Sequence, residues 1–546
     1  MRTILVIAWS EIGRLRRRFR GGASPVAVVL LLIAIGVSVY SMQQTQLAGN
    51  GLYRVGVFGD VPAIEDSRFV VRTLSPEQGQ AQLADGSLDV FIDGGQVYAS
   101  QSEKSQNAIG ALRRYLERKE LERLAQEHDP QQAFPLRVAV QYAAVPVAGG
   151  QPTPTLTAGQ TPVPTSTPPP PEILIPSLMT PKLPFAEVIV SMLYILPVTF
   201  ISIFFTSSFM DEKINRRLVI LLSSPITPLQ IILGKMLPYL VFSLVSSLLL
   251  AALTKAPPLL ALAIFVPVML FIFAIYLMVP MFYRTFKDTT FISMLVTTLT
   301  TIYLVFPAMF NGVSEIAFLS PLTLAIKMYQ GEAFSLRQYL FPALPMMLIF
   351  GVAVFAGTRM LNEEFLMGYR AMTQKIKDAV YLMMNRQHLL LSVGAFSFGF
   401  IPVVYLLQVV LLVFASNLPP GLMLAALLFA AAWIEEVVKT IGIVTLYEHG
   451  YVRGVGKILL LALASALGFL IGEKALLLFS LSFVSESALS GAIFSSGLLL
   501  VPLLAHFFFT SFVSLLRAYT RLPYGVILLL SALLHSLYNG LILRGG

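Results

Sequence analysis

The stretch AAAWIEEVVKTIG, residues 430 to 442, places Glu435, Glu436 and Lys439 inside a run of residues that is otherwise apolar. A charged side chain at the centre of a membrane helix costs roughly 2.5 to 3.5 kcal/mol on insertion scales. Charged residues at such depth therefore usually have a partner or a functional role. The stretch predicts a membrane-spanning helix with a polar site inside it.

The composition of the whole chain agrees with a membrane protein. Of the 546 residues, 56% are hydrophobic and only 12% are charged. The chain has no cysteine, which excludes disulfides, thiolate zinc sites and cysteine nucleophiles. Its net charge of +9 comes from Lys and Arg clusters between apolar runs. This pattern follows the positive-inside rule, so we expect no nucleic-acid partner.

Apolar runs of about 20 residues predict an all-α polytopic membrane protein with about 11 transmembrane helices. An arginine-rich amphipathic helix at the N-terminus is expected to lie on the cytoplasmic face, ahead of the first span. An odd number of spans then places the C-terminus on the extracytoplasmic side of the plasma membrane. The expected spans are 24–42, 186–209, 237–254, 259–282, 291–310, 342–361, 389–415, 421–446, 458–481, 492–516 and 523–543.

Between the first two spans the sequence predicts a small α/β domain outside the membrane. Four segments alternate or run apolar as strands do, and ALRRYLERKELERLAQEHD is typical of a helix with a charged face. A Pro- and Thr-rich segment follows, with the composition of an extended linker. The expected domains are an interfacial helix and first span (1–42), the α/β domain (43–148), the linker (149–183), five spans (184–361), an amphipathic linker (362–388) and a second membrane domain (389–546).

The segment FMDEKINRRLVILLSSPITPLQIILGKMLPYL, residues 209 to 240, joins a charged turn to a Ser-Pro-x-Thr-Pro break and a new span. With the layout of residues 1 to about 361, it resembles the permease subunit of a type-2 ABC exporter. The alternative is an ordinary cytosolic loop. The resemblance implies a homodimer and a cytosolic segment that contacts an ATPase. The residues assigned to that contact are Glu212, Lys213, Arg216, Arg217 and Pro225.

The sequence contains no G-x-x-x-x-G-K-[ST], the loop that cradles nucleotide phosphates. Any ATP-Mg that drives export is therefore expected on a separate ABC ATPase subunit.

The second membrane domain carries polar residues on four consecutive spans. After Glu435, Glu436 and Lys439 come Glu473 in ALGFLIGEKALLL, His506 in VPLLAHFFFTSF, and His535 with Asn539 in ALLHSLYNG. In this order and spacing they resemble the PrsW family of intramembrane proteases, relatives of the CAAX-processing membrane proteases. The resemblance covers roughly residues 389 to 543. Leu477 stands where the family pattern has Tyr.

A protease needs an activated water and a stabilised oxyanion. We expect Glu435, or Glu436 with it, to be the general base, and His535 with Asn539 to be the oxyanion donors. His506 and Glu473 position water or substrate, and Lys439 compensates the charge of a glutamate. The favoured mechanism needs no cofactor. The alternative is a zinc site formed by His506, His535 and Glu435, and the structural alternative is polar residues that hold helices together.

The combined prediction is a fusion of an exporter permease and a glutamate-dependent intramembrane endopeptidase. Its substrate would be a peptide or a membrane protein, cleaved and exported by one assembly. Two alternatives stay open: a transporter with a non-catalytic protease-like scaffold, and a protease whose permease-like half recruits substrates or regulators.

Overall fold

The computed structural model describes residues 2–19, 51–127 except 60, 62, 95 and 101, then 140–142, 185–311, 315–416, 418–484 and 497–545. These residues divide into two compact units, a membrane unit and a sheet unit, which is formed by parts of residues 41–189 with 309–317. The predicted first span, 24–42, lies outside the described residues.

Within the described residues, ten helices are long and apolar enough to cross a membrane. Each predicted span from 186–209 onward falls on one of them, which confirms the all-α polytopic fold class. The long helices are α4 (Phe185–Ile214), α6 (Pro228–Leu253), α7 (Pro258–Phe282), α8 (Phe286–Ala308), α10 (Leu336–Met360), α15 (Pro420–Glu448), α16 (Val455–Val484), α17 (Gly497–Tyr519) and α18 (Tyr524–Gly545), with the tenth span formed by α13 (Leu389–Gly399) and α14 (Ile401–Ala415).

Shorter helices connect the spans. The N-terminal amphipathic helix is α1 (Arg2–Phe19), which packs against α6. The predicted amphipathic linker forms two helices, because the chain leaves helical geometry at Gly368. The connecting helices are α5 (Arg217–Leu222), α9 (Pro321–Tyr329), α11 (Glu363–Met367) and α12 (Met372–Met383).

The span at 389–415 is divided at Phe400, where α13 ends and α14 begins. Pro402 lies in the first turn of α14. Proline has no backbone N–H and its ring clashes with the carbonyl four residues earlier, so a helix cannot pass through it undistorted. The two helices differ in their main packing partners: α13 packs mainly against α16, while α14 packs mainly against α15 and also against α8 and α10.

The sheet unit is a small α/β fold. Its sheet has the order β2-β1-β3-β4-β5, in which β4 is antiparallel to β3 and the other neighbours are parallel. A core of Val55, Val90, Ala99, Ala108 and Leu112 lies between the sheet and helix α3. The elements are β1 (Tyr53–Phe58), β2 (Phe69–Thr73), α2 (Pro76–Ala84), β3 (Val90–Asp93), β4 (Gln96–Ala99), α3 (Glu103–Glu127) and β5 (Val140–Tyr142).

Helices α13 and α16 cross at backbone contact through two glycines. A Cβ added at Gly468 would lie 2.1 Å from the carbonyl oxygen of Gly394, which real atoms cannot do. Small residues at helix crossings let backbones approach closely in membranes, where dispersion contacts drive packing. This crossing places α16 at a fixed position beside α13.

We expect Gly468→Ala to destabilise the membrane unit by roughly 1 to 3 kcal/mol, because the added methyl group forces the two backbones apart. Thermal unfolding in nanodiscs measures the change. Gly456→Ala is the matched control on the same helix, since a Cβ there meets no atom within 4 Å. Equal unfolding temperatures for the two variants would contradict the close crossing.

Candidate active site

Helix α15 supplies the centre of a buried polar cluster. Glu436 and Lys439 are both 0% exposed, and the Lys439 ammonium donates to Glu436 Oε1 over 2.6 Å. The two residues are three apart and therefore on one face of the helix. An unpaired charge at this depth would be costly, so each group stabilises the charged form of the other.

His535, on α18, lies between the two glutamates. Its Nδ1 is 2.9 Å from Glu436 Oε1, and its Nε2 is 3.9 Å from Glu435 Oε2. Because an ionised carboxylate only accepts hydrogen bonds, the Nδ1 atom of His535 carries the proton and donates to Glu436. In neutral His535 the Nε2 lone pair then faces Glu435.

His506, on α17, extends the cluster to α16. Its Nδ1 is 3.1 Å from Lys439 Nζ, and its Nε2 is 2.9 Å from Glu473 Oε2. Since the ammonium of Lys439 can only donate, Nδ1 accepts and the Nε2 proton is directed to Glu473. Glu473 also accepts from Lys474 over 3.0 Å. Glu473 has the most accessible carboxylate of the cluster, with 37% of its side chain exposed.

Aromatic rings pack around the imidazoles and hold their orientation. The Phe509 ring stacks on His535 with centroids 4.6 Å apart, and Phe469 meets His506 edge to face at 5.2 Å. The ammonium of Lys439 lies 5.1 Å from the Phe469 centroid. These apolar contacts leave the ring nitrogens as the polar surface of each histidine.

The donor set fits a metal ion. One ligand atom each from Glu435, His506 and His535 lie within 4.8 Å of one another, the only such group of three found among the described residues. Two imidazole nitrogens and a carboxylate oxygen are ligands that zinc accepts, with the fourth position open for water. The Glu436 contact to Nδ1 of His535 is the carboxylate–histidine arrangement that commonly orients metal-binding histidines. His535 offers a free Nε2 lone pair to zinc, whereas both ring nitrogens of His506 are engaged, so His506 would bind zinc only after Lys439 or Glu473 releases one of them.

The structure brings together six of the seven predicted residues and leaves Asn539 at the edge. Asn539 is half-buried one turn beyond His535 and has no hydrogen-bond partner among the described residues. Gln408 on α14, which the sequence analysis did not single out, donates to Glu435 Oε1 over 3.3 Å. Gln408 is an isolated amide in the apolar run IPVVYLLQVVLLVFA, a signal of the same kind as those used for the other residues.

The five residues expected to contact an ATPase differ in their solvent exposure. Glu212 and Lys213 are 1% and 2% exposed, so their side chains face inward. The Lys213 ammonium donates to the backbone carbonyls of Pro280 and Tyr283. Arg216, Arg217 and Pro225 are exposed at the ends of α5. The surface available to a partner here therefore includes the last three residues and not the first two.

Glu212 belongs to a second buried charge cluster, which ties α1 to the bundle. Lys235, 0% exposed, is 3.0 Å from Glu11 Oε2 and 2.8 Å from Glu212 Oε2. Glu11 also accepts from Tyr239 over 2.9 Å and from Ser208. Burial raises the pKa of Glu11, but Lys235, Ser208 and Arg14 outweigh burial and hold that pKa below its usual value. This cluster was not predicted from the sequence, in which its signal is Glu11 on the apolar face of α1.

Two family models match the chain. The model described as ABC-2 family transporter protein matches residues 26–330, and the model described as PrsW family intramembrane metalloprotease matches residues 385–546. Both resemblances seen in the sequence are thereby confirmed. No curated protein and no solved structure matches the chain.

We expect Glu436→Gln to lower the affinity of the protein for zinc about 10- to 100-fold, because the amide no longer fixes the His535 tautomer. Competition with a chromophoric chelator measures the affinity of the protein in nanodiscs. Glu448→Gln is the control, on the same helix but ion-paired with Lys377 and Arg517. Unchanged zinc affinity in Glu436→Gln would contradict a supporting role for this carboxylate.

The lowered pKa of Glu11 predicts a pH-dependent contribution to stability. Glu11→Gln should destabilise the protein by about 1.5 to 3 kcal/mol at neutral pH, because it removes hydrogen bonds to a charged group. The contribution of ionised Glu11 is complete above the usual pKa of 4.5 and is lost as pH falls through the lower folded-state value. The difference between wild type and variant should therefore shrink below about pH 4.5 in thermal unfolding. A difference independent of pH would contradict the assignment, and exposed Glu363→Gln is the control.

Proposed function

This chain belongs to the ABC-2 family of transporter proteins, and we propose that it is an exporter permease whose C-terminal domain is a metal-dependent intramembrane endopeptidase. The chain joins an ABC-2 permease-like half to a PrsW-like half. We therefore favour a zinc-dependent mechanism over the metal-free mechanism expected from the sequence. The substrate of the endopeptidase domain is a peptide or a membrane protein, since the candidate site lies on membrane-spanning helices.

The orientation of His535 is the observation that carries the proposal. Glu436 accepts from its Nδ1, so the Nε2 lone pair faces Glu435. His506 would complete the donor set once Lys439 or Glu473 releases one of its ring nitrogens. In the metal-free mechanism His535 would donate to an oxyanion. The tautomer set by Glu436 has no Nε2 proton for that purpose, which favours a ligand role.

The protein groups have separate tasks in the proposed mechanism. Glu435, His506 and His535 would hold zinc, which supplies Lewis-acid activation of water and of the peptide carbonyl. Lys439 keeps Glu436 ionised, and Glu436 in turn holds the tautomer of His535. Glu473 is the exposed carboxylate beside His506, so it is placed to accept a proton from the attacking water and to return it to the leaving amine.

Contacts of α12 support a link between proteolysis and transport. Lys375 donates to the carbonyl of Phe282, at the end of permease helix α7, over 2.8 Å. Two residues later, Lys377 donates to Glu448, at the end of α15, over 2.8 Å. Helix α15 carries Glu435 and Glu436. A shift of α7 during transport would therefore reach the proteolytic site through one short helix.

The remaining elements of the proposal come from the permease family and the charge pattern. ATP-Mg is bound by a separate ABC ATPase subunit, which meets the exposed Arg216, Arg217 and Pro225. Two copies of the chain form the permease. The N-terminus lies in the cytoplasm and the C-terminus outside, with the sheet unit as an extracytoplasmic domain.

The decisive experiment is cleavage of a tagged peptide library and of co-expressed small membrane proteins by the purified chain in nanodiscs. We expect a zinc chelator to abolish cleavage and added zinc to restore it. Glu435→Gln and His535→Ala should each lower cleavage at least 100-fold, since each removes a proposed ligand. His449→Ala, which removes an imidazole outside the cluster, is the control.

The outcomes separate the two mechanisms. Cleavage that is lost in both variants but insensitive to chelator would reinstate Glu435 as the general base without metal. Equal cleavage by wild type and both variants would end the catalytic assignment. If cleavage is intact but no ATPase co-purifies with the chain, the result would support a protease whose permease-like half only recruits substrates.

A further inference from the structure

We propose that an anionic phospholipid binds in a crevice between the permease half and the protease half of the membrane unit. This interhelical crevice has a volume of about 260 Å³. Its walls come from α10 on one side and from α13 on the other, with Asn385 of the connecting segment at its rim. Nothing in the proposed proteolytic site contributes to it.

Helix α10 packs against α14, and the crevice lies between α10 and α13. Helix α14 begins after the break at Phe400. Gly399 and Phe400 line the crevice at this break. From His388 to Phe400 the lining runs over twelve residues, about 18 Å at the rise of an α-helix, which is more than half of a hydrocarbon core.

The lining is graded in polarity along the membrane axis. Arg359, Asn385 and His388 lie at the ends of the two spans, where headgroups are found. Phe355 and Phe396 line the deeper region, at least one helical turn further into the membrane. This order matches a phospholipid, whose charged headgroup is followed by acyl chains. A soluble anion would not need the apolar region.

The charge at the rim selects an anionic headgroup. Arg359 is exposed, stacks over the Phe355 ring at 5.4 Å and makes no ion pair with a described carboxylate. The guanidinium offers its N–H groups in a fork that matches the two oxygens of a phosphate. Basic pockets between membrane helices are a known type of site for anionic lipids. The phosphate of the lipid is therefore expected at Arg359.

The test uses the full-length protein in nanodiscs of phosphatidylcholine with a titrated fraction of phosphatidylglycerol. Native mass spectrometry then counts the lipids that remain bound. Wild type should retain phosphatidylglycerol over phosphatidylcholine, and Arg359→Gln should reduce this preference about fivefold, the effect of one basic side chain near a membrane surface. Lys457→Gln makes the same charge change at an exposed residue outside the crevice and should retain the preference.

A second variant tests the apolar region independently. A Cβ at Gly399 would meet no atom within 4 Å, so the side chain of Gly399→Leu can enter the crevice without a local clash. It should lower the retention of both lipids. Wild-type preference in Arg359→Gln, or equal losses in Arg359→Gln and Lys457→Gln, would overturn the proposal. Displacement of the lipid by inorganic phosphate would assign the rim to a soluble anion and also overturn it.

Discussion

The ion pair between Glu436 and Lys439 is the interaction on which the rest of the polar cluster depends. Both groups are completely buried, so neither charge is tolerable without the other. Each partner also orients one imidazole, since Glu436 accepts from His535 and Lys439 donates to His506. One pair on α15 therefore sets the tautomers of histidines on two other helices. The Nε2 lone pair of His535 is left free because of it, while the Nδ1 lone pair of His506 is held by Lys439.

The permease half repeats this construction with different residues. Lys235 is buried between Glu11 and Glu212, and it connects an interfacial helix to two spans. In both clusters a lysine on a membrane-spanning helix bonds a carboxylate that is almost completely buried. The consequence differs, because the Lys235 cluster joins segments far apart in the chain, whereas the Lys439 cluster orients ring nitrogens.

Much of the architecture could be predicted from apolar run length, because a bilayer demands about 20 apolar residues from every span. The polar set at Glu435, Glu436, Glu473, His506 and His535 was also predictable, since isolated polar residues stand out in apolar runs. Which of the two glutamates pairs with Lys439 could not be predicted. Glu435 and Glu436 lie four and three residues before Lys439, and both spacings place side chains on neighbouring positions of a helix. Only the rotation of α15 against α17 and α18 decides that Glu436 is the partner and that Glu435 faces His535.

Helix α15 runs without interruption from Glu435 and Glu436 to Glu448, which forms ion pairs with Lys377 and Arg517. A continuous helix is stiff along its axis, so a displacement at one end arrives at the other almost undiminished. Catalytic groups keep their function only within about 0.5 Å of the productive geometry. Under the proposed link between the two halves, a movement of the permease too small to open a pathway would then suffice to disturb the proteolytic geometry. The tolerance of the site, rather than the size of the transport motion, sets the sensitivity of such a coupling.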